Sequence, residues 1–279
     1  MNENILIGAT IANAARRLEP VSDSPRLDAE LLLARALDVA RSYLFAHPEE
    51  QLDPGAAARF EASVLRLLDS VPLAYITGEK EFWSMNLMVS PATLVPRPET
   101  EILVEQALRQ IPEQGEFRVL DLGTGCGAVA IAIARERVNC EVTATDCSED
   151  ALAVARENAR QLDIPNVSFV PGDWVEAVVD RMFDIVVSNP PYVPAADPDL
   201  LRLKHEPLQA LAAGMDGLDA IRSIARESRR VLREDHFLLV EHGDRQQRAV
   251  EDLLQAAGWH DIACVADLAG RARVSSARR

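Results

Sequence analysis

The chain has 279 residues, long enough at ~150 residues per domain for about two domains. Hydrophobic residues make up 48% and charged residues 26%, with 16 Pro and 13 Gly, so a disordered or low-complexity chain is excluded. Lys and Arg number 29 against 44 Asp and Glu, a formal net charge of −15. That balance argues against bulk attraction to a nucleic-acid backbone or an anionic membrane.

Residues 1–75 read as helical. Apolar residues recur at spacings of three and four through Ile5, Leu6, Ile11, Ala14 and Leu18, then Leu27, Leu31, Leu32 and Leu37, then Phe60, Val64 and Leu67. Ser24-Pro25 and Asp53-Pro54 place proline in the first turn of a helix, where no N–H is required of it. Four or five short helices and no catalytic cluster suggest a docking domain. Residues 76–98 change character: Phe82 to Val89 alternates like a strand or hairpin, and Pro91, Pro96 and Pro98 stiffen the connection. A helix is expected over 99–109.

From Phe117 onward strands and helices alternate. Strands are expected at 117–121, 141–145, 167–170, 183–188 and 237–241, with a final pair near 262–265 and 273–275. Helices are expected at 128–137, 149–162, 221–232 and 245–257. This pattern predicts an α/β fold, an open and mostly parallel sheet with helices on both faces, over residues 99–279.

Two motifs carry the chemistry. Asp121-Leu122-Gly123-Thr124-Gly125-Cys126-Gly127 follows the first sheet strand and opens a helix. The glycines permit a tight turn and let a ligand approach the backbone. The segment satisfies both a dinucleotide fingerprint and the pattern for S-adenosylmethionine (SAM), and Asp146 at the next strand end suits the ribose of either. Asp121 favours SAM, because a carboxylate there suits an ammonium and would repel a pyrophosphate. The second motif is Asn189-Pro190-Pro191-Tyr192, at the end of an apolar strand. The Asn189 side-chain oxygen and the Pro190 carbonyl can each accept an N–H from a conjugated amino group, the prolines add no competing donor, and Tyr192 can pack on the planar group. A nicotinamide enzyme has no use for such a corner, so methyl transfer to a conjugated nitrogen is preferred. DNA adenine, RNA guanine or adenine, and a protein glutamine amide all remain open as acceptors. The acidic charge argues against duplex DNA.

The cysteines Cys126, Cys140, Cys147 and Cys264 form no C-x-x-C pair, so neither zinc nor any other metal is expected. His205, His236 and His242 read as packed or exposed residues. MNENILIGAT lacks the basic-then-apolar order of a leader, and no 18-residue apolar run follows. A cytoplasmic protein is expected.

With Tyr75-Ile76-Thr77-Gly78, Leu94-Val95-Pro96-Arg97-Pro98-Glu99-Thr100-Glu101, the glycine turn, Asn189 to Tyr192, Glu206-Pro207, Asp216 to Asp219 and Glu241-x-Gly243-x-x-Gln246, nearly the whole chain resembles the PrmC/HemK family of protein-(glutamine N5) methyltransferases. The resemblance implies a class I SAM-dependent methyltransferase sheet with an N-terminal helical domain. Residues 1–75 would dock a peptide chain release factor, 76–98 would link, and 99–279 would methylate the glutamine of its Gly-Gly-Gln loop. Nucleic acid and membrane would not be partners. By position, Asp121, Gly123, Thr124, Gly125, Cys126 and Gly127 would hold the methionine part of SAM and Asp146 the ribose. Asp173 follows the third strand, and Trp174 would cover the adenine. Asn189 would touch both cofactor and substrate. Pro190, Pro191 and Tyr192 would bind the glutamine amide, with Arg97 and Glu99 near the substrate mouth. Glu241 and Gln246 read as residues that fix a strand end and the next helix. Ala272, where the family often has an acid, and Met215, which replaces a common glycine, depart from the pattern. The rival reading is a nucleic-acid amino methyltransferase acting on adenine N6 or guanine.

Overall fold

The computed structural model describes residues 6–279. Its contacts divide the chain into two units, one ending at Glu79 and one running from Lys80 to Arg279.

Among the described residues, the first unit holds α1 (Ile7–Leu18), α2 (Pro25–Leu37), α3 (Arg41–Ala46), α4 (Pro54–Leu68) and α5 (Leu73–Thr77). Ile5, counted in the sequence periodicity, lies outside the described residues. Both predicted proline starts are used. Pro25 and Pro54 open α2 and α4, and the Asp53 side chain caps α4 by accepting from the Ala56 N–H. Ile7, Ile11, Ala14 and Leu18 form one buried stripe of α1. It packs with Leu32, Leu33, Phe60 and Val64 in a core confined to this unit.

The second unit begins in a hairpin of β1 (Glu79–Phe82) and β2 (Met85–Met88). A single 3₁₀ turn, Pro98–Thr100, leads into α6 (Glu101–Gln110). There follow β3 (Phe117–Leu122), α7 (Ala128–Glu136), β4 (Cys140–Asp146), α8 (Glu149–Gln161), β5 (Val167–Pro171) and β6 (Phe183–Ser188). The chain ends in α9 (Asp219–Glu227), β7 (Leu232–Glu241), α10 (Gln247–Ala256), β8 (His260–Ala266) and β9 (Ala272–Arg278).

The sheet order is β5-β4-β3-β6-β7-β9-β8. The first five strands run parallel, while β9 is antiparallel to both β7 and β8. The chain steps outward from β3 to β4 and β5, then returns to lay β6 on the other side of β3. That reversal leaves a crevice at the carboxyl ends of β3 and β6, where open α/β sheets bind ligands. α7 is buried along its length from Ala128 to Ala134, which explains its uninterrupted apolar sequence.

One expected element is shorter than the sequence indicated. The helix anticipated over 221–232 ends at Glu227, passes through a 3₁₀ turn at Ser228–Arg230, and gives way to β7 at Leu232. Ile221, Ile224, Ser228 and Val231 continue a helical spacing, so the pattern alone does not mark the end. Pairing of Leu232 with Phe183 decides it, because both are fully or almost fully buried in the sheet.

Candidate active site

The crevice is lined by three groups of residues. From the glycine turn come Asp121, Gly123, Thr124, Gly125 and Cys126, and from the ends of β4 and β5 come Asp146, Cys147, Ser148, Asp173 and Trp174. Asn189 and Pro191 enter from the end of β6, facing Thr93, Leu94, Pro96, Thr100, Pro207, Gln209 and Ala210. Ten of the residues singled out from the sequence therefore share one cavity.

The turn is held open by backbone geometry. Gly125 has φ 58° and Gly127 φ 87°, both in the left-handed region. A Cβ on Gly125 would meet nothing within 4 Å, so its bare backbone faces free space. A Cβ on Gly127 would come 2.8 Å from Ile131 Cδ1 and 3.1 Å from Ala155 Cβ. Gly127 does not line the cavity; it is the N-cap of α7 and lets the helix start close to the sheet. Cys126 is 2% exposed and its thiol is pushed up to about 12, chiefly by burial, so it is an inert filler here.

Asp121 is 1% exposed, and its Oδ2 accepts from the Thr124 hydroxyl at 2.7 Å. Burial pushes its carboxyl up to about 7; the Asp146 charge adds to the rise, and the Thr124 hydroxyl and the Ala130 N–H oppose it. Asp146 accepts from the Gly125 N–H through Oδ2 at 2.8 Å and from the Ser148 N–H through Oδ1 at 2.9 Å. Each oxygen retains a second lone pair for a ligand hydroxyl. Trp174 has φ 45°, and its carbonyl accepts from the Thr145 hydroxyl at 3.1 Å. A Cβ on Gly123 would lie 3.5 Å from the Trp174 ring, so the indole stands over that glycine.

These residues fit SAM. An open glycine backbone, a buried carboxyl that meets no cationic side chain among the described residues, and a second carboxylate at a strand end match an amino acid ammonium and a ribose.

At the end of β6, Asn189 Nδ2 donates to Thr100 Oγ1 at 3.0 Å. Oδ1 has no partner among the described residues. Pro190 is buried behind the surface. Pro191, not Tyr192, lines the cavity; the Tyr192 ring packs against the sheet core and its hydroxyl donates to Glu241 Oε1 at 3.3 Å. Arg97 and Glu99 are engaged elsewhere. Arg97 pairs with Glu206, which also accepts from the Val95 N–H at 3.1 Å, and Glu99 pairs with Arg271 at 3.6 Å. The sequence reading missed Thr100 as a partner of Asn189, although Thr100 sits inside the Pro-Arg-Pro-Glu-Thr segment that carries the resemblance. Gln209 and Ala210, which have no chemical signature of their own, also line the cavity, beside Pro207 of the Glu206-Pro207 segment.

Residues 9–78 match the family model described as the PrmC N-terminal domain, and residues 98–204 match the methyltransferase small domain. A release factor glutamine methyltransferase of Coxiella burnetii (strain RSA 493 / Nine Mile phase I) is 48% identical over 267 residues, 96% of each chain. One of Escherichia coli (strain K12) is 44% identical over 259 residues, covering 92% of this chain and 93% of that one. The chain belongs to the release factor glutamine methyltransferase family. Among solved structures, a methyltransferase from Pyrococcus furiosus covers 77% of this chain and 95% of its own at 21% identity and a TM-score of 0.54. The 16S rRNA N2 G1207 methyltransferase of T. thermophilus has the same TM-score at 17% identity, over 72% of this chain and 49% of its own. The second unit therefore has the class I methyltransferase fold, and that fold does not by itself choose a methyl acceptor.

Proposed function

We propose that this protein transfers a methyl group from SAM to the side-chain amide nitrogen (N5) of the glutamine in the Gly-Gly-Gln loop of peptide chain release factors. The observation that carries this reading is the Asn189 amide, held by Thr100 at the mouth of the glycine-turn cavity with its oxygen unclaimed, in a chain of this family.

Bound SAM supplies an electrophilic methyl group on a sulfonium sulfur, which would leave as the thioether S-adenosylhomocysteine while the amide nitrogen gives up one proton to solvent. Asp121 would hold its ammonium, the Gly123–Cys126 backbone its methionine part, Asp146 its ribose, and Asp173 and Trp174 the adenine side, while Gly127 starts α7 behind the turn. Asn189 Oδ1 and the Pro190 carbonyl would accept the two N–H groups of the glutamine amide and turn its nitrogen toward the cofactor. Pro191 would wall the planar amide, with the Tyr192 ring behind it. Arg97 and Glu99 would shape the substrate mouth from their ion pairs. An amide nitrogen is a weak nucleophile, so positioning supplies much of the acceleration. The apolar lining from Leu94, Pro96 and Pro207 excludes water, which favours a transition state in which charge disperses from sulfur.

The helical residues 1–75 would dock the release factor and 76–98 would link them to the catalytic residues 99–279. Among the described residues, no three His, Cys, Asp or Glu side chains are grouped to hold a metal, and the residues facing the cavity need none for this reaction. No helix of the described residues is long and apolar enough to cross a membrane. With a release factor as substrate, the enzyme would work in the cytoplasm. Of the C-terminal arginines, Arg271 and Arg273 pair with Asp267, Arg278 pairs with Asp235 and Asp261, and Arg279 donates to the Leu232 carbonyl. This weakens the nucleic-acid alternative, because Arg271, Arg273 and Arg278 already meet carboxylates within the chain.

The test is incubation with labelled SAM and a release factor, beside the same factor with its Gly-Gly-Gln glutamine replaced by alanine. Label on the first and not the second is the expected result. Equal labelling of both, or label only on added RNA or DNA, overturns the reading.

A further inference from the structure

Two walls of the cavity belong to distant stretches of the chain. One is the Pro-rich segment, through Thr93, Leu94 and Pro96; the other is the excursion between β6 and α9, through Pro207, Gln209 and Ala210. Glu206 joins them. Its Oε2 accepts from the Val95 N–H at 3.1 Å, and its Oε1 accepts from Arg97 Nη2 in an ion pair. Val95, Arg97 and Glu206 do not themselves line the cavity. The contact lies immediately behind it, because Val95 and Arg97 bracket Pro96 and Glu206 precedes Pro207. Proline fixes its own φ, so each of these wall residues follows the neighbour that the contact holds.

The excursion is closed at its feet. The Val193 N–H donates to the Leu211 carbonyl at 2.8 Å, and the Ala195 N–H to the Gly214 carbonyl at 2.8 Å. Its regular elements between these bonds are two 3₁₀ turns, Pro198–Leu201 and Leu208–Ala210. The usual partition of side chains is inverted there. Leu201 and Leu208 are 79% and 63% exposed, whereas Glu206 is 6% exposed. Burial of these leucines does not seat the crest of the excursion. The carboxylate does, with each oxygen directed at a different residue of the Pro-rich segment.

We propose that Glu206 is a positioning residue for the cofactor cavity, which locks the excursion to the Pro-rich segment, fixes the spacing of Pro96 and Pro207, and so sets how tightly SAM is retained. This rests on the cavity being the SAM site and is independent of the methyl acceptor. Removing one member of a buried ion pair strands the other, so the walls part when either is replaced. Parted walls admit water and release the cofactor, as an opened lid does. The Asn189 amide is held by Thr100 and not by this contact, so the acceptor corner stays in place.

The experiment uses the full chain, Glu206→Gln, Arg97→Gln and the double variant. Glu206→Gln keeps the side chain's shape and an acceptor for the Val95 N–H. The double variant leaves no stranded charge, and it carries the test if urea unfolding shows that a single variant does not fold. Calorimetry should find SAM bound about tenfold or more weakly by Glu206→Gln. KM for SAM should rise in proportion, while kcat on a release factor at saturating SAM stays within about threefold. Arg97→Gln should weaken SAM similarly, and the double variant no more than the worse single one, as two members of one contact must. Unaltered SAM affinity in Glu206→Gln, losses that add in the double variant, or a fall in kcat with affinity unchanged overturns the proposal. If the unmodified chain binds no SAM, the reading of the cavity falls and this proposal with it. If the release factor stays unlabelled while Glu206→Gln still weakens SAM, the positioning role stands and the acceptor reading falls.

Discussion

Asn189 Nδ2 donates to Thr100 Oγ1 over 3.0 Å, and this bond decides which end of the Asn189 amide is left for a ligand. Truncating the side chain should remove the acceptor for the substrate N–H while leaving the glycine turn, Asp121 and Asp146 untouched. Asn189→Ala is expected to lower kcat by about 10²-fold or more, the scale seen when one oriented polar group is removed from an active site. Calorimetric SAM affinity should barely change. Equal losses in SAM binding and turnover would assign Asn189 to the cofactor instead.

Asp121 makes cofactor binding depend on pH. With its carboxyl at about 7 in the unliganded protein, an arriving ammonium favours the charged form and expels a proton. SAM affinity should rise as pH increases toward about 7 and level off above it, with a limiting slope of about tenfold per unit below. Titrations in two buffers of different ionisation heat would reveal the released proton, and Asp121→Asn should abolish both the slope and the release. Stability of the unliganded protein should run the opposite way. The folded state holds this proton more tightly than the unfolded one, so between about pH 4 and 7 the Asp121 contribution falls as pH rises. Asp121→Asn should flatten that part of the unfolding curve.

Gly127→Ala tests the close start of α7. The residue has φ 87°, and a methyl would sit 2.8 Å from Ile131 Cδ1. Left-handed strain together with overpacking should cost about 2–4 kcal/mol. Urea unfolding measures that loss, and a parallel drop in SAM affinity would show that the helix start carries the turn with it.

Asn158 joins two segments that meet only in the folded chain. Its Oδ1 accepts from the Met88 N–H at 2.7 Å, and its Nδ2 donates to the Met88 carbonyl at 3.0 Å and the Cys126 carbonyl at 2.9 Å. The residue is 1% exposed. Asn158→Ala should destabilise by about 2–4 kcal/mol, since it leaves several buried polar groups unpaired. Amide exchange should accelerate most at Met88, and unchanged protection there would contradict this linkage.

The net charge of −15 bears on encounter with the substrate. Release factors bind the ribosome, so a basic face is expected on them, and an acidic enzyme would be steered toward it. KM for the release factor should increase with salt between about 50 and 300 mM, while SAM affinity stays flat. A KM independent of salt would remove charge steering from the docking step.

Much of the site was legible because its chemistry is local. Asp121 to Gly127 and Asn189 to Tyr192 are contiguous, and each residue type follows from what one strand end must present. Strand and helix alternation predicted the mostly parallel sheet, and the structure places β6 beside β3. The end of α9 was not legible, because Val231 and Leu232 suit a buried helix face as well as a strand. Pairing with Phe183 made the choice.

Sequence alone determined the motifs and the class of sheet, since both depend on periodicities and turns spanning a few residues. Tertiary structure alone decided the partners of those motifs. Thr100 meets Asn189 across 89 positions, Arg97 meets Glu206 across 109, and Tyr192 meets Glu241 across 49. No spacing rule reaches that far. These contacts exist because the sheet returns past β3 and brings β6 and β7 under the Pro-rich segment, where buried polar groups must find one another or remain unsatisfied.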